Sequence, residues 1–285
     1  MNFNRTTTIG AVAALALIPS TAFAAVIVGG PGNERLRGTM SADQIDGNAG
    51  NDRIFGRGGD DTLVGGLDND RVFGGGGNDV LHGVQGNDWL NGGAGDDEIT
   101  GDANNAGDRS SFDRLFGAAG NDTLKGGDSR DRIHGGSGND TSFGESGHDI
   151  MSGGRGDDVQ HGNGGNDLIF AGPGQDTTFG GDGDDVLWAL ARVDVAAGSG
   201  VDQVGDTLDG GDGNDRFRTR DGEVDRITCG GGDDKALLDN VDVITDATAE
   251  NPNGSCEKVV RAAPNSEDTR SEDRQQESKD EKRSS

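Results

Sequence analysis

The chain has 285 residues, of which 54 are glycine and 5 proline, and acids outnumber bases 52 to 25 for a formal net charge of −27. Only 30% of the residues are apolar and tyrosine is absent, which excludes a large conventional hydrophobic core. The acidic balance argues against nucleic acid or an anionic membrane as partner, because phosphate contacts need lysine and arginine.

Residues 1–24 read as a secretory signal peptide. Arg5 supplies the positive start, Ile9 to Ile18 the apolar run, and Ala22-Phe23-Ala24 a small-x-small cleavage site. The expectation is an exported, extracellular protein, and no later apolar run approaches the ~20 residues that would span a bilayer. A lead-in over residues 25–42 is followed by a strict period. Over 43–101 aspartates recur every nine residues, at Asp52, Asp61, Asp70, Asp79, Asp88 and Asp97. Residues 102–112 hold a seven-residue insertion, expected to bulge as a loop. The period resumes at Asp113 and continues over 113–188 through Asp122, Asp131, Asp140, Asp149, Asp158, Asp167, Asp176 and Asp185.

The unit is Gly-x-x-Gly-x-Asp-x-apolar-x, with Ile54, Leu63, Val72, Leu81 and Leu90 at the apolar position. Six glycine-rich residues suit a sharp turn, and the other three suit a strand with one inward side chain. Glycine this dense excludes helix. The pattern predicts an all-β fold, a right-handed parallel β-roll with two repeats per coil of 18 residues. Ile54, Val72 and Leu90 should then stack in an inward column at ~4.8 Å spacing. Outward, Phe55, Phe73, Phe116, Phe170 and Trp188 share a phase and fall on one sheet if the insertion leaves the winding intact. Such a stripe marks either a partner surface or packing beneath a cap or loop. Ser142, Gln160 and Thr178 replace the inward apolar residue, which predicts a local register shift that turns Phe143 and Phe179 inward.

Two aliphatic side chains per coil return far less free energy than ordering 18 residues costs. Stacked aspartates would also repel one another. A divalent cation between turns resolves both problems, and an all-oxygen donor set suits calcium. The expected metal ligands are Asp52, Asp61, Asp70, Asp79, Asp88, Asp97, Asp122, Asp140, Asp149, Asp158, Asp167, Asp176, Asp185 and the later Asp215. Asp113 and Asp131 are left out. Their turns lack the glycine two residues before the aspartate and bring in Arg109 and Arg130, so pairing with Arg109, Arg130 or a neighbouring base is expected there in place of the cation.

Gly74-Gly75-Gly76-Gly77-Asn78-Asp79-Val80-Leu81-His82 and Gly135-Gly136-Ser137-Gly138-Asn139-Asp140 resemble the repeats-in-toxin, or haemolysin-type, calcium-binding nonapeptide. The resemblance covers about residues 43–190, with a degenerate copy at Gly210-Gly211-Asp212-Gly213-Asn214-Asp215. It implies calcium held by the aspartate carboxylate and turn carbonyls and shared between turns of successive coils. The stretch from Cys229 to Val259 looks like the ending of small secreted bacterial calcium-binding proteins of this class. Many members of the family leave by a C-terminal, uncleaved secretion signal. The N-terminal leader departs from that pattern, so neither that route nor toxin activity is carried over.

Cys229 and Cys256 are an even pair in an exported chain and read as a disulfide. It would staple a cap over residues 189–261, which also hold degenerate repeats. Ala189 to Ala197 is apolar enough to cover one end of the roll, and 262–285 reads as a disordered charged tail. The four histidines lie inside repeats without metal spacing, and Ser146 only half fits a nucleophile elbow. Arg155-Gly156-Asp157 is generated by the repeat itself. The resulting expectation is a secreted, monomeric, non-enzymatic calcium-binding protein. The alternatives are an adhesive module for cell-surface or matrix polymers, or an accessory module of a hydrolase. An enzyme would need a sizeable non-repeat domain, and none is evident.

Overall fold

The computed structural model describes residues 24–102, 111–189, 205–249 and 251–262. Readings that fall on the leader, most of the insertion, the stretch 190–204 and the tail lie outside these residues. Among those described, twenty-four short strands run from β1 (Val26–Val28) to β24 (Lys258–Arg261). All odd-numbered strands form one twelve-stranded sheet and all even-numbered strands the other, each strictly in sequence order. Every pairing is parallel, so the chain winds as a β-roll in which each coil gives one strand to each sheet. This is the all-β fold read from the nine-residue period.

Register follows the repeat. Ile54 pairs with Val72 and Val72 with Leu90, and all three are fully buried in the inward column. The seven-residue insertion leaves this winding intact: Leu90 of β8 (Trp89–Ala94) pairs with Leu115 of β10 (Arg114–Ala119), and Ile99 pairs with Leu124 on the other sheet. At the base of the insertion Ser111 Oγ donates to Asp102 Oδ2 at 2.7 Å, with both residues buried.

Two expectations are corrected. Ser142, Gln160 and Thr178 stay inward and buried, paired in register, while Phe143, His161 and Phe179 stack outside at 5.0 and 4.7 Å. A one-residue slip would also turn the neighbouring aspartates out of the interior, where they make backbone hydrogen bonds, and that holds the register. The apolar core forms two clusters, one ending at Ile169 and one beginning at Leu187.

The capping role given to Ala189–Ala197 falls, beyond Ala189, outside the described residues. The sheets continue past this stretch, since Thr177 pairs with Thr207 and Val186 with Arg216. The last coils lie at the C-terminal end of the sheets. There the disulfide joins Cys229 and Cys256, both buried in the second cluster. The second correction concerns Arg130, which does not pair with Asp131.

Candidate metal centre

Strand alternation sends the residue two before each inward aliphatic to the same side. The repeat aspartates therefore face inward at the mouth of each strand, and all fourteen named above are buried. In each, Oδ1 accepts a backbone N–H from one coil earlier, that of Glu34 for Asp52 and of an aspartate for the rest. Asp52 N–H donates to Asp70 at 2.7 Å, Asp70 to Asp88 at 2.7 Å, and Asp61 to Asp79 at 2.8 Å. One row runs on through Asp97, Asp122, Asp140, Asp158 and Asp176, and the other through Asp149, Asp167, Asp185 and Asp215.

A second ladder runs along the outside of the turns with the opposite sense. Here the side chain of the earlier coil accepts from the later one: Asn78 Oδ1 from Asp96 N–H at 3.0 Å, and Asn69 Oδ1 from Asn87 N–H at 2.8 Å. His148 fills the same place, its Nδ1 accepting Asn166 N–H at 2.8 Å.

The other carboxylate oxygen distinguishes the site. Oδ2 of Asp52, Asp61, Asp70, Asp79, Asp88, Asp97, Asp122, Asp140, Asp149, Asp158, Asp167, Asp185 and Asp215 is buried with no hydrogen-bond partner among the described residues. It lies over the first glycine of its own repeat. A Cβ built on Gly65 would stand 2.5 Å from Asp70 Oδ2 and 2.9 Å from the carbonyl oxygen of Gly83 one coil on. Glycine is required there by close approach, and the space it leaves is bounded by carboxylate and carbonyl oxygens. The fourth position of the repeat needs glycine for a different reason, as at Gly95, where φ is +127°.

Burial pushes these carboxyls up, with only partial relief from the backbone hydrogen bond. Asp61 and Asp79 rise to about 6, Asp70, Asp88, Asp97 and Asp140 to about 7, and Asp149 and Asp185 to about 8. Buried, negatively charged, half-partnered oxygens in rows are the electrostatic demand that a hard divalent cation meets. Oxygen-only donors from carboxylate and carbonyl fit calcium. No three His, Cys, Asp or Glu side chains converge on one point among the described residues, so backbone carbonyls would complete the shell.

Asp113 and Asp131 belong to the same rows, against expectation. Asp113 Oδ1 accepts Asp88 N–H at 2.7 Å and Asp131 Oδ1 accepts Asp113 N–H at 2.8 Å, and both Oδ2 atoms are as unpartnered as the rest. Asp131 has no ion pair with Arg130, whose charge only partly offsets the burial that raises Asp149. Arg109 lies outside the described residues. The glycine missing from the second turn is replaced by Ser129, which reaches φ +96° and keeps the turn's shape.

Asp43, Asp206, Asp225 and Asp234 also extend the rows. Irregular separations of 30 and 19 residues hid the last three from the nine-residue search. Their signal was the Asp-x-apolar triplet, as in Asp206-Thr207-Leu208 and Asp225-Arg226-Ile227. At the end of one row Glu257 takes the aspartate's part, accepting Asp234 N–H at 2.8 Å. At the end of the other Asp242 accepts from Asp225 N–H and Asp239 N–H, and from the Thr219 hydroxyl at 2.7 Å.

The family model described as the RTX calcium-binding nonapeptide repeat matches residues 28–63, 37–72, 55–88, 73–105, 110–142, 143–160, 160–187 and 205–224, together more than half of the chain. No curated protein matches it.

Proposed function

The chain belongs to the RTX calcium-binding nonapeptide repeat family, and from that premise we propose that it is a secreted, extracellular, non-enzymatic protein whose roll folds on calcium. The observation that carries this reading is the double row of buried aspartates, thirteen of the named ones with an Oδ2 that has no hydrogen-bond partner among the described residues. Asp70 and its equivalents in both rows, with the carbonyls of the first glycines, would hold the ions. Calcium would supply the positive charge that lets these carboxylates stay ionised inside the fold. The protein's own contribution is geometric: Oδ1 is fixed by a backbone N–H of the preceding coil, which leaves Oδ2 aimed at the glycine of its turn.

Circular dichroism of the chain from residue 25 onward tests this. Millimolar calcium, the range of extracellular modules, should convert a largely unstructured chain into a β-rich one, and equal magnesium should do much less. A fully β-structured chain in chelator would sink the proposal. The aromatic stripe favours a second reading, a calcium-dependent adhesive module for surface or matrix polymers. Phe55 and Phe73 stack at 5.1 Å and continue through Trp89 and Phe116 at 6.1 and 6.0 Å.

A further inference from the structure

Beside that stripe, at the strand position just after each repeat aspartate, or after Glu34 in the first coil, the even-numbered sheet carries a row of bases. Arg35 pairs with Arg53, Arg53 with Arg71, Arg71 with Trp89, Trp89 with Arg114, and Arg114 with Arg132. Five steps of ~4.8 Å make a row about 24 Å long. The roll does not need arginine at this position. On the opposite sheet the same place holds Thr62, Val80, Glu98, Thr123 and Thr141 in unbroken register. None of the five arginines has an ion-pair partner among the described residues, although acids exceed bases two to one in the chain.

The arginines line a groove of ≈ 1100 Å³, and Asn51, Asn69 and Asn87 line it as well. Aromatic rings hold three of the guanidinium groups: Arg35 lies 5.1 Å from the Phe55 ring, Arg71 5.9 Å from Trp89 and Arg114 5.1 Å from Phe112. A guanidinium held by cation–π contact keeps its N–H fork for a planar oxyanion. A lattice of fixed forks beside a row of amides matches a linear polymer that bears carboxylates and hydroxyls at regular intervals.

We infer that this face binds a linear anionic polysaccharide of the uronic-acid type. Single-stranded nucleic acid fits less well, because it needs open aromatic faces on which bases stack. Phe55 and Phe73 lie parallel within 5° and cover one another's faces. Glu34 and the buried Asp52, Asp70, Asp88 and Asp149 also line the groove, and their charge would oppose an anion unless a cation offsets it. The inference therefore rests on the calcium reading, and the two can fail separately.

The test is fluorescence anisotropy of a labelled uronic-acid octasaccharide with the chain from residue 25 onward in calcium, with circular dichroism on the same samples. Binding should weaken with salt and ignore a neutral glucan competitor. The triple substitution Arg53→Gln, Arg71→Gln, Arg114→Gln should lose at least tenfold in affinity with an unchanged calcium-dependent spectrum. Lys125→Gln, Arg155→Gln, Arg226→Gln removes as many charges away from the row and should stay within twofold of the parent. A folded roll that does not bind the octasaccharide would overturn the inference, as would full binding by the first triple variant. Tighter binding of an eight-nucleotide single strand than of the octasaccharide would reassign the face to nucleic acid and overturn it too. Failure of the calcium-induced spectrum would instead count against the folding proposal.

Discussion

The backbone N–H of Asp88 donates to Oδ1 of Asp113 at 2.7 Å, although 25 residues of chain separate them where neighbouring rungs are 18 apart. The insertion is thus carried outside the ladder. Asp113 is buried more deeply than most of its fellows, and burial with the carboxylates of Asp131 and Asp88 pushes it up to about 9.

Asp113 should therefore behave as a metal-site residue despite its turn. Asp113→Asn keeps the Oδ1 acceptor and removes the charge, so it should cost at least one calcium in equilibrium dialysis, as Asp97→Asn should. A variant that binds as many ions as the parent would assign Asp113 to structure alone.

Ion-free stability should fall as pH rises. In the unfolded chain these aspartates titrate near 3.8, whereas in the roll Asp70 does so at about 7 and Asp149 at about 8. Between those values the folded form holds more protons than the unfolded form. Stability is then present below pH ~4 and is lost progressively as pH rises through the folded values. In chelator the chain should show more β signal by circular dichroism at pH 4.5 than at pH 8. At the higher pH calcium takes over the role of the protons, and its binding should release protons measurably in unbuffered solution.

Gln160→Leu should stabilise the calcium-loaded roll. Gln160 is buried in the polar column, and its Nε2 has no hydrogen-bond partner among the described residues. Leucine removes an unpaired donor worth about 1–3 kcal/mol and puts an apolar side chain in the interior. Differential scanning calorimetry in saturating calcium should register a higher melting temperature. A fall would mean that the amide has a structural role.

Val84 adopts φ +91°, a conformation costly for a β-branched residue. Asn48 and Asn163 hold the same repeat position at φ +69°. Val84→Asn should therefore gain about 1 kcal/mol, read as a lower calcium concentration at the folding midpoint.

The nine-residue period made the sheets, their register and the inward aliphatics legible, because strand alternation and stacking act on every repeat alike. The behaviour of Ser142 and Phe143 was not legible. From sequence a polar residue inside looks worse than a slip, but the slip would also break the hydrogen bonds that Asp140 makes on both sides. Asp113 and Asp131 were misjudged for a related reason. Loss of a glycine was weighed at one turn, whereas the ladder is held by its neighbours, and Ser129 takes the left-handed conformation regardless. The arginine row was open to view in Arg35, Arg53 and Arg71, 18 apart, but the net charge of the whole chain drew attention from it.

The two ladders point in opposite directions, and that gives the roll a sense of growth. Each coil offers its outer amide oxygens, such as Asn78 Oδ1, to the coil that comes after it. Its own inner N–H groups, such as that of Asp79, wait for the carboxylate that the next coil brings. A chain emerging N-terminus first thus always exposes a half-finished template whose donors and acceptors fit only another repeat. Winding can proceed one coil at a time until Glu257 and Asp242 fill the last inner places. Lengthening such a protein by whole coils would leave both ends, and the order of winding, unchanged.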